Sequence, residues 1–315
     1  MRKFCVGALF IIVIACSKDD VTLTDVDTTI IAWLDTMNVD SATADASGIY
    51  YYATAENPTG IAVTSGSVVS IYYTLSDLSG NVIASHQRND GDSLVLKQGV
   101  SAVYPVGLDI GLAFMNEGET FNIIVPPVLG YQDLTSGAIN PNTISLLEVE
   151  VVRVQNEVSV YAQETADIVN YIASENLNDT VVNPLNSVQT FASGVAYKRI
   201  VKGFGPLAVN GETVILSYTA SFLNTTTFDS KSNFQFILGS DQPRLLIPGF
   251  EFGLSLMAPN ERALIIVPSS QGYRESALII PRSITADLID DDIIPDYVLR
   301  VAPYTPMVFD ITRFD

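Results

Sequence analysis

Short runs of alternating or continuous apolar residues, separated by Gly, Asn, Asp and Pro, dominate most of the chain. Such runs predict β-strands, and the clearest of them cover residues 120–125, 146–154, 213–219, 262–267 and 307–314. Residues 227–230 and 233–239 predict two further strands. Phe250, Leu254 and Met257 recur at i, i+4 and i+7, which predicts a short helix with one apolar face. An antiparallel sheet with one helix covering its apolar face is therefore expected, which is an α+β fold.

The pattern of strands and helix occurs twice. Residues 66–74 correspond to residues 211–219, because both stretches begin with glycine, continue through apolar residues and end in Tyr-Thr. Residues 107–112 correspond in the same way to residues 249–254, with a methionine three residues later in each copy. In both copies a Val-Pro pair is followed five residues later by tyrosine. The chain therefore contains an internal duplication, and we expect two copies of one structural unit.

A helical pattern precedes each copy. The apolar positions are Ile30, Ile31, Leu34 and Met37 before the first copy, and Ile168, Tyr171 and Ile172, after an acidic start at residues 164–167, before the second. Polar, turn-rich stretches follow both helical patterns. We therefore expect a signal peptide (1–15), a tether (16–23), a first domain (24–155) and a second domain (156–315).

Composition and charge exclude several classes of function. The chain has 315 residues and a formal net charge of −19, which argues against nucleic acid as a partner, because phosphate binding requires clustered Lys and Arg. The two cysteines, Cys5 and Cys16, both lie near the N-terminus, and His86 is the only histidine. Metal sites built from several Cys or His residues and Ser-His-Asp constellations are thereby excluded. We expect neither a cofactor nor a metal.

The N-terminus has the pattern of an export signal. Arg2 and Lys3 precede an apolar run, residues 4–14, that is too short to span a bilayer. The run leads into Cys16 through residues that resemble a bacterial lipobox, in which the cysteine receives lipid. The Lys-Asp-Asp tether at residues 18–20 resembles the surface-export signal of Bacteroidetes lipoproteins. These resemblances imply an outer membrane lipoprotein, anchored through Cys16, on the cell surface or the periplasmic face. The alternative to a lipoprotein is a membrane anchor or an ordinary cleaved signal in which the cysteine is incidental. The alternative to the surface-export signal is a polar tether that carries no such signal.

The ordered motifs of the second domain resemble those of FKBP-type peptidyl-prolyl cis–trans isomerases. The motifs are Val-x-x-x-Tyr-Thr at 214–219, Phe-Asp-Ser at 228–230, Phe-x-Phe-x-Leu-Gly at 234–239, Leu-Ile-Pro-Gly-Phe at 246–250, Pro268 with Tyr273, and the stretch 301–311. The resemblance implies two FKBP-like domains, each a half-open antiparallel β-sheet wrapped around a short α-helix. It also implies an isomerase that acts on proline-containing polypeptide clients among exported or surface proteins.

Carried over residue by residue, the resemblance implies a pocket in the second domain. The catalytic residues would be Asp229, Tyr273, Tyr218 and Phe228, and the substrate-binding residues would be Phe234, Leu246, Ile247, Phe250, Val301 and Phe309. Tyr273 and the backbone at Ile247 would bind substrate carbonyls. Asp229, as a buried carboxylate, would polarise the amide carbon or orient Tyr218. Taken singly, each aromatic residue would equally suit core packing, and Asp229 a turn.

The first domain keeps the pattern of the motifs but lacks much of the pocket chemistry. Ile83 and Ala84 stand where the motif has Phe-Asp, Leu94 and Leu147 replace pocket Phe residues, and Leu108 replaces the usual Trp. The first domain is therefore expected to be weakly active or inactive.

The second domain carries an insertion at residues 276–300. Between Tyr273 and Pro303 there are 29 residues, against 9 in the corresponding stretch of the first domain. The corresponding loop borders the pocket in this family, so the insertion is expected to form either a lid or an arm for a particular partner. The acidic run at residues 290–292 is either a cation site or, more ordinarily, a solvated loop.

Two further functions remain open alongside isomerisation. One is a chaperone or binding lipoprotein that holds unfolded chains without catalysis. The other is a structural component of an envelope complex.

Overall fold

The computed structural model describes residues 23–137, 139–178, 187–240, 247–294 and 301–315. It divides into two compact units, residues 1–40 and residues 41–315. The predicted signal peptide and Cys16 lie outside the described residues. No helix within the described ranges is long and apolar enough to cross a membrane.

Helix α1 (Leu23–Met37) confirms the helix predicted before the first copy. The predicted apolar stripe was wrong in part, because Ile31 and Met37 are exposed. The buried residues are Val26, Ile30 and Leu34, which follow each other at i, i+4 and i+8 and so share one helix face.

The first domain contains an antiparallel sheet and one short helix. Its elements are β1 (Thr43–Ala44), β2 (Tyr50–Ala55), β3 (Val68–Asp77), β4 (Val82–His86), β5 (Leu94–Lys97), β6 (Val103–Tyr104), α2 (Val106–Leu112), β7 (Thr120–Val125), a 3₁₀ turn (Pro127–Leu129) and β8 (Ser145–Gln155). The sheet order is β1-β2-β7-β8-β3-β4, and β5 also pairs with β3. The predicted strands at 120–125 and 146–154 are confirmed as β7 and β8.

The second domain repeats this arrangement. Its elements are α3 (Glu157–Ser174), β9 (Gln189–Thr190), β10 (Ala196–Val201), β11 (Thr213–Phe222), β12 (Thr227–Ile237), α4 (Pro248–Leu254), β13 (Arg262–Val267), a 3₁₀ turn (Ser269–Gln271), β14 (Leu278–Ile279), a 3₁₀ turn (Arg282–Ile284), α5 (Thr285–Asp290) and β15 (Met307–Arg313). The sheet order is β12-β11-β15-β13-β10-β9. The runs predicted as two strands form the single strand β12, in which register shifts against β11 accommodate the turn-like residues between them.

Glycines in the short helices allow them to lie directly on the sheet. A Cβ at Gly249 of α4 would overlap the side chain of Val267, and a Cβ at Gly253 would overlap Ile265. Helix α2 repeats this contact on β7 with its own two glycines. The close approach buries Phe250 and the rest of the apolar face of α4 against one face of the sheet.

Helix α3 covers the other face of the second sheet. It begins at Glu157, earlier than the predicted acidic start at residues 164–167, because the side chain of Asn156 accepts a hydrogen bond from the amide of Ser159 at 2.8 Å and caps the helix. Its buried face packs on strands β10, β13 and β15 through Ile168, Ile172, Ala196, Ile266 and Val308. Each domain is thus preceded in the chain by a helix.

The two domains are joined at Glu157. Lys97 Nζ, at the end of β5, lies 3.1 Å from Glu157 Oε1. The hydroxyl of Tyr304, which follows the insertion, donates to the same oxygen at 3.0 Å, and the hydroxyl of Tyr161 donates to it at 3.1 Å. Burial raises the pKa of Glu157, but the hydrogen bonds from these three residues outweigh burial, so that the pKa lies below its ordinary value. The charged carboxylate therefore links both domains.

Candidate active site

A tyrosine and an aspartate face each other across the edge of the second sheet. Tyr218 Oη on β11 donates a hydrogen bond to Asp229 Oδ2 on β12 at 2.6 Å. Asp229 Oδ1 accepts from the amide of Ser230 at 2.8 Å. Asp229 is exposed, so the predicted buried carboxylate is wrong. The reason is that β12 is the edge strand of its sheet, where side chains reach solvent.

Aromatic rings surround Tyr218. Its ring centroid lies 5.5 Å from that of Phe250, 6.1 Å from Phe234 and 6.3 Å from Phe309. Phe250 and Phe309 meet edge to face at 5.0 Å, and Phe228 lies 6.5 Å from Phe309. Phe250 and Phe309 are buried, whereas the other rings are partly exposed. The arrangement is an apolar cluster with one accessible side.

Tyr273 lies at the same site. It packs half-buried against this cluster, and burial together with the negative charge of Asp229 raises its pKa. Burial, and then the hydrogen bond to Asp229, raises the pKa of Tyr218 as well. Both hydroxyls therefore keep their protons at neutral pH.

The remaining predicted residues are placed as follows. Ile247 is the buried residue at the N-terminus of α4, and Val301 is buried in the same cluster. Leu246 lies outside the described residues. The carbonyl of Val301 accepts a hydrogen bond from Ser276 Oγ at 2.8 Å, which closes the base of the insertion. Apart from Leu246, the structure brings every predicted residue of the pocket into one site.

Two aromatic residues of the site were missed. Phe222 stacks on Phe228 with centroids 4.7 Å apart, and Phe236 stacks on Phe234 at 5.6 Å. The strand period could have found both, because Phe222 lies four residues after Tyr218 and Phe236 two residues after Phe234, on the same strand faces.

The corresponding site of the first domain lacks the acid. Leu75 pairs with Ala84 in the first sheet as Ala220 pairs with Asp229 in the second, so Ala84 occupies the position of the aspartate. Tyr73, which corresponds to Tyr218, is buried, and burial raises its pKa to about 12. The floor and wall of this site are aliphatic, formed by Leu108 and Leu147.

The insertion of the second domain fills this site. Strand β14 pairs in parallel with β6 of the first domain, where the amide of Leu278 donates to Ala102 O at 2.8 Å and that of Ile280 donates to Tyr104 O at 2.9 Å. Tyr131 Oη donates to Ile280 O at 2.5 Å. The described part of the insertion, residues 276–294, therefore contacts the first domain. Its acidic residues 290–292 are exposed, and no group of three or more metal-ligating residues occurs among the residues described.

Comparison with known proteins identifies similar sequences. A family model described as FKBP-type peptidyl-prolyl cis-trans isomerase matches residues 60–152 and 205–312. The chain is 26% identical over 219 residues to peptidyl-prolyl cis-trans isomerase FKBP9 of Mus musculus, which covers 68% of this chain and 32% of that protein. The chain thus spans about a third of the length of that relative. It is 29% identical over 180 residues to outer membrane protein MIP of Legionella longbeachae, covering 54% of this chain and 73% of that protein.

Among solved structures, the chain is similar to FkpA from Escherichia coli, with a TM-score of 0.36 and 19% sequence identity. That likeness covers 42% of this chain and 61% of the FkpA chain.

Proposed function

Because this chain belongs to the family of FKBP-type peptidyl-prolyl cis–trans isomerases, we propose that its second domain isomerises X-Pro bonds in exported or surface polypeptides. The observation that carries the proposal is the Tyr218–Asp229 pair, set among aromatic rings beside the half-buried Tyr273. The first domain has no such pair, since Ala84 stands at the position of the aspartate.

The chemistry needs neither a nucleophile nor a metal. The barrier to X-Pro rotation is the lost amide resonance, and charge separation falls as the bond twists. An apolar site that excludes water therefore favours the twisted amide over the planar one. Phe228, Phe250 and Phe309 would enclose the proline ring, and Tyr273 would donate a hydrogen bond to a substrate carbonyl. Asp229 would hold Tyr218 in place through their hydrogen bond.

The first domain supports the role given to Tyr273. Tyr131 occupies the corresponding position, and its hydroxyl donates to the carbonyl of Ile280, the residue directly before Pro281. A tyrosine at this position in the fold thus reaches the carbonyl that precedes a proline. Tyr273 would bind the same carbonyl of a client in the second domain.

Three substitutions test the proposed isomerase. Asp229→Ala, Tyr273→Phe and Phe228→Ala are each expected to lower kcat/KM for a proline tetrapeptide roughly tenfold, which corresponds to about 1.4 kcal/mol of lost transition-state stabilisation. The measurement is a protease-coupled or NMR exchange assay on the full chain. Ile83→Ala, in the corresponding wall of the first domain, is the control and is expected to leave the rate unchanged. Wild-type rates in all three variants of the second domain would refute the proposal.

A chaperone that holds unfolded chains without catalysis is the second candidate, and the partly exposed aromatic cluster of the second domain favours it, because apolar side chains of a client can pack there whether or not isomerisation follows. Suppression of aggregation by a chain that does not accelerate isomerisation would support this function. A rate enhancement on a short tetrapeptide would count against it.

We also propose that Cys16 carries a lipid that anchors the chain to the outer membrane, on its surface or its periplasmic face. The lipobox-like residues before Cys16 support this, as does the likeness to a protein named as an outer membrane protein. Cys16→Ser is expected to move the protein from the membrane fraction to the soluble fraction, since the acyl chains would supply the membrane affinity. Cys5→Ser is the matched control and should leave it in the membrane fraction. Unchanged fractionation of Cys16→Ser would exclude the anchor.

A further inference from the structure

The segment that fills the first domain is held there by its backbone. Strand β14 pairs side by side with β6, with Leu278 opposite Val103, and the amides of Leu278 and Ile280 donate to carbonyls of the first domain. Tyr131 Oη donates to Ile280 O. Addition of an extended strand to an exposed backbone edge is a common mode of peptide recognition, in which the main chain contributes affinity and pockets for side chains contribute specificity.

The side chains of the segment belong to the core of the first domain. Leu278, Ile280 and Leu288 are at most 1% exposed, and Ile279 and Ile284 are at most 4% exposed. All five pack in one cluster with Leu108, Leu147 and Tyr131. The aromatic cluster of the second domain contains none of these five residues. Burial of aliphatic side chains from water drives this contact.

The residues that distinguish the first pocket from the second suit this ligand. Ala84 stands where the second domain has Asp229, and a carboxylate there would lose water to an apolar segment without gaining a partner. Leu108 stands where α4 has Phe250, and the smaller side chain leaves more room in the floor. A second polar contact lies beyond the apolar residues, where Ser136 Oγ donates to the carboxylate of Asp287.

We propose that the pocket of the first domain is a binding site for a short extended apolar segment followed by proline, with residues 278–281 of the second domain as its resident ligand and the helical residues 282–288 packed on the same cluster. In the intact chain the tether gives this ligand an effective concentration on the order of millimolar. The pocket is therefore closed to external polypeptides at micromolar concentration. The first domain acts as an internal receptor, and this role does not depend on catalysis by the second domain.

Displacement of the segment tests the proposal. Ile280→Asp places a charge at a fully buried position, whereas Ala286→Asp adds the same charge at an exposed position of the same segment. In the full chain, trypsin is expected to cleave after Arg282 at least about tenfold faster in Ile280→Asp than in wild type, because the open form becomes populated. Ala286→Asp should match wild type. Equal cleavage of all three proteins would overturn the proposal.

A peptide probe tests the specificity of the emptied pocket. A fluorescein-labelled peptide with the sequence of residues 276–287 is expected to bind Ile280→Asp at micromolar concentration with at least about tenfold higher affinity than wild type. Adding Tyr131→Phe should weaken that binding about fivefold, through loss of one neutral hydrogen bond. Adding Tyr273→Phe should leave it unchanged. Equal binding to wild type and Ile280→Asp, or sensitivity to Tyr273 instead of Tyr131, would assign the peptide to the second domain and overturn the proposal.

A milder variant covers the case in which Ile280→Asp does not fold. Tyr131→Phe in the otherwise native chain removes one hydroxyl and should increase hydrogen exchange at the amides of Leu278 and Ile280 about fivefold. The amides of β13 in the second domain provide the internal reference and should not change. Unaltered exchange at both amides would contradict the role of Tyr131 in holding the segment.

Discussion

Replacement of Phe250 by alanine is expected to lower the free energy of unfolding of the second domain by about 3–5 kcal/mol, the range for large-to-small changes of a buried aromatic residue. Phe250 is only 3% exposed, and its ring contacts Tyr218, Phe236 and Phe309. The same change removes the floor against which a proline ring would lie. We therefore also expect at least roughly tenfold loss of prolyl isomerisation, measured at a temperature where calorimetry shows the variant to be folded.

The matched control for Phe250 is Leu108, at the same position of the other short helix. Leu108 is wholly buried, and Leu108→Ala is expected to cost about 2–5 kcal/mol of stability in the first domain. Its effect on isomerisation should be negligible while the protein remains folded. Equal losses of activity in the two variants would mean that activity follows general stability, and an active Phe250→Ala would remove this residue from the site.

The second large effect is expected at Arg313, near the C-terminal end of the second sheet. The guanidinium group is 1% exposed, donates to Met257 O at 2.7 Å, and lies 3.0 Å from Glu212 Oε1 and 3.2 Å from Asp315 Oδ1. Arg313→Ala leaves the carbonyl of Met257 with only the longer hydrogen bond from the amide of Ala208, at 3.4 Å, and leaves two carboxylates without their cation. We expect the free energy of unfolding to fall by about 3 kcal/mol, as measured by calorimetry or denaturant titration.

Arg262 provides the control for this ion pair. It forms a bidentate ion pair with Asp310, in which Nε donates to Oδ1 at 2.9 Å and Nη2 donates to Oδ2 at 2.6 Å, but its side chain is 49% exposed. Because solvent screens such pairs, Arg262→Ala is expected to cost less than about 1 kcal/mol. Similar losses for the two arginine variants would contradict the dependence on burial.

The effect of Arg313→Ala should also depend on pH. Burial raises the pKa of Asp315, but hydrogen bonds from Arg313 and from the amide of Ile215 outweigh burial and lower it. A carboxyl group whose pKa is lowered on folding stabilises the protein above its unfolded pKa, and this contribution is lost as the pH falls through the folded pKa. The stability difference between wild type and Arg313→Ala should therefore shrink below about pH 4, the ordinary pKa of aspartate.

Local periodicity was sufficient to predict the elements that build the pocket. Phe250, Leu254 and Met257 were predicted on one helical face, and all three are buried, but α4 ends at Leu254 and the prediction was wrong for Met257, which lies beyond the helix. Strands β7 and β13 begin and end at the predicted residues because their apolar runs are bounded by polar and turn residues. The resemblance then ordered the aromatic residues around one site, which periodicity alone could not do.

What the sequence could not predict depends on contacts between distant residues. Strand β12 is continuous because it pairs along the whole of β11, although its sequence contains a turn-like stretch. Asp229 is exposed because β12 is an edge strand, a property of sheet order. The insertion packs on the first domain because Leu278 pairs with Val103. An apolar run in the sequence does not indicate which distant strand it will pair with.

The carboxylate of Glu157 has a mechanical consequence for the tandem. It receives Lys97 from one domain and Tyr304 from the other, within three residues of the last strand of the first sheet. These two contacts therefore restrain the linker between the two sheets at the point where a hinge would otherwise lie. A long client chain would meet one accessible pocket, in the second domain, whose orientation is fixed by the first domain. It would not meet two pockets on domains that move relative to each other.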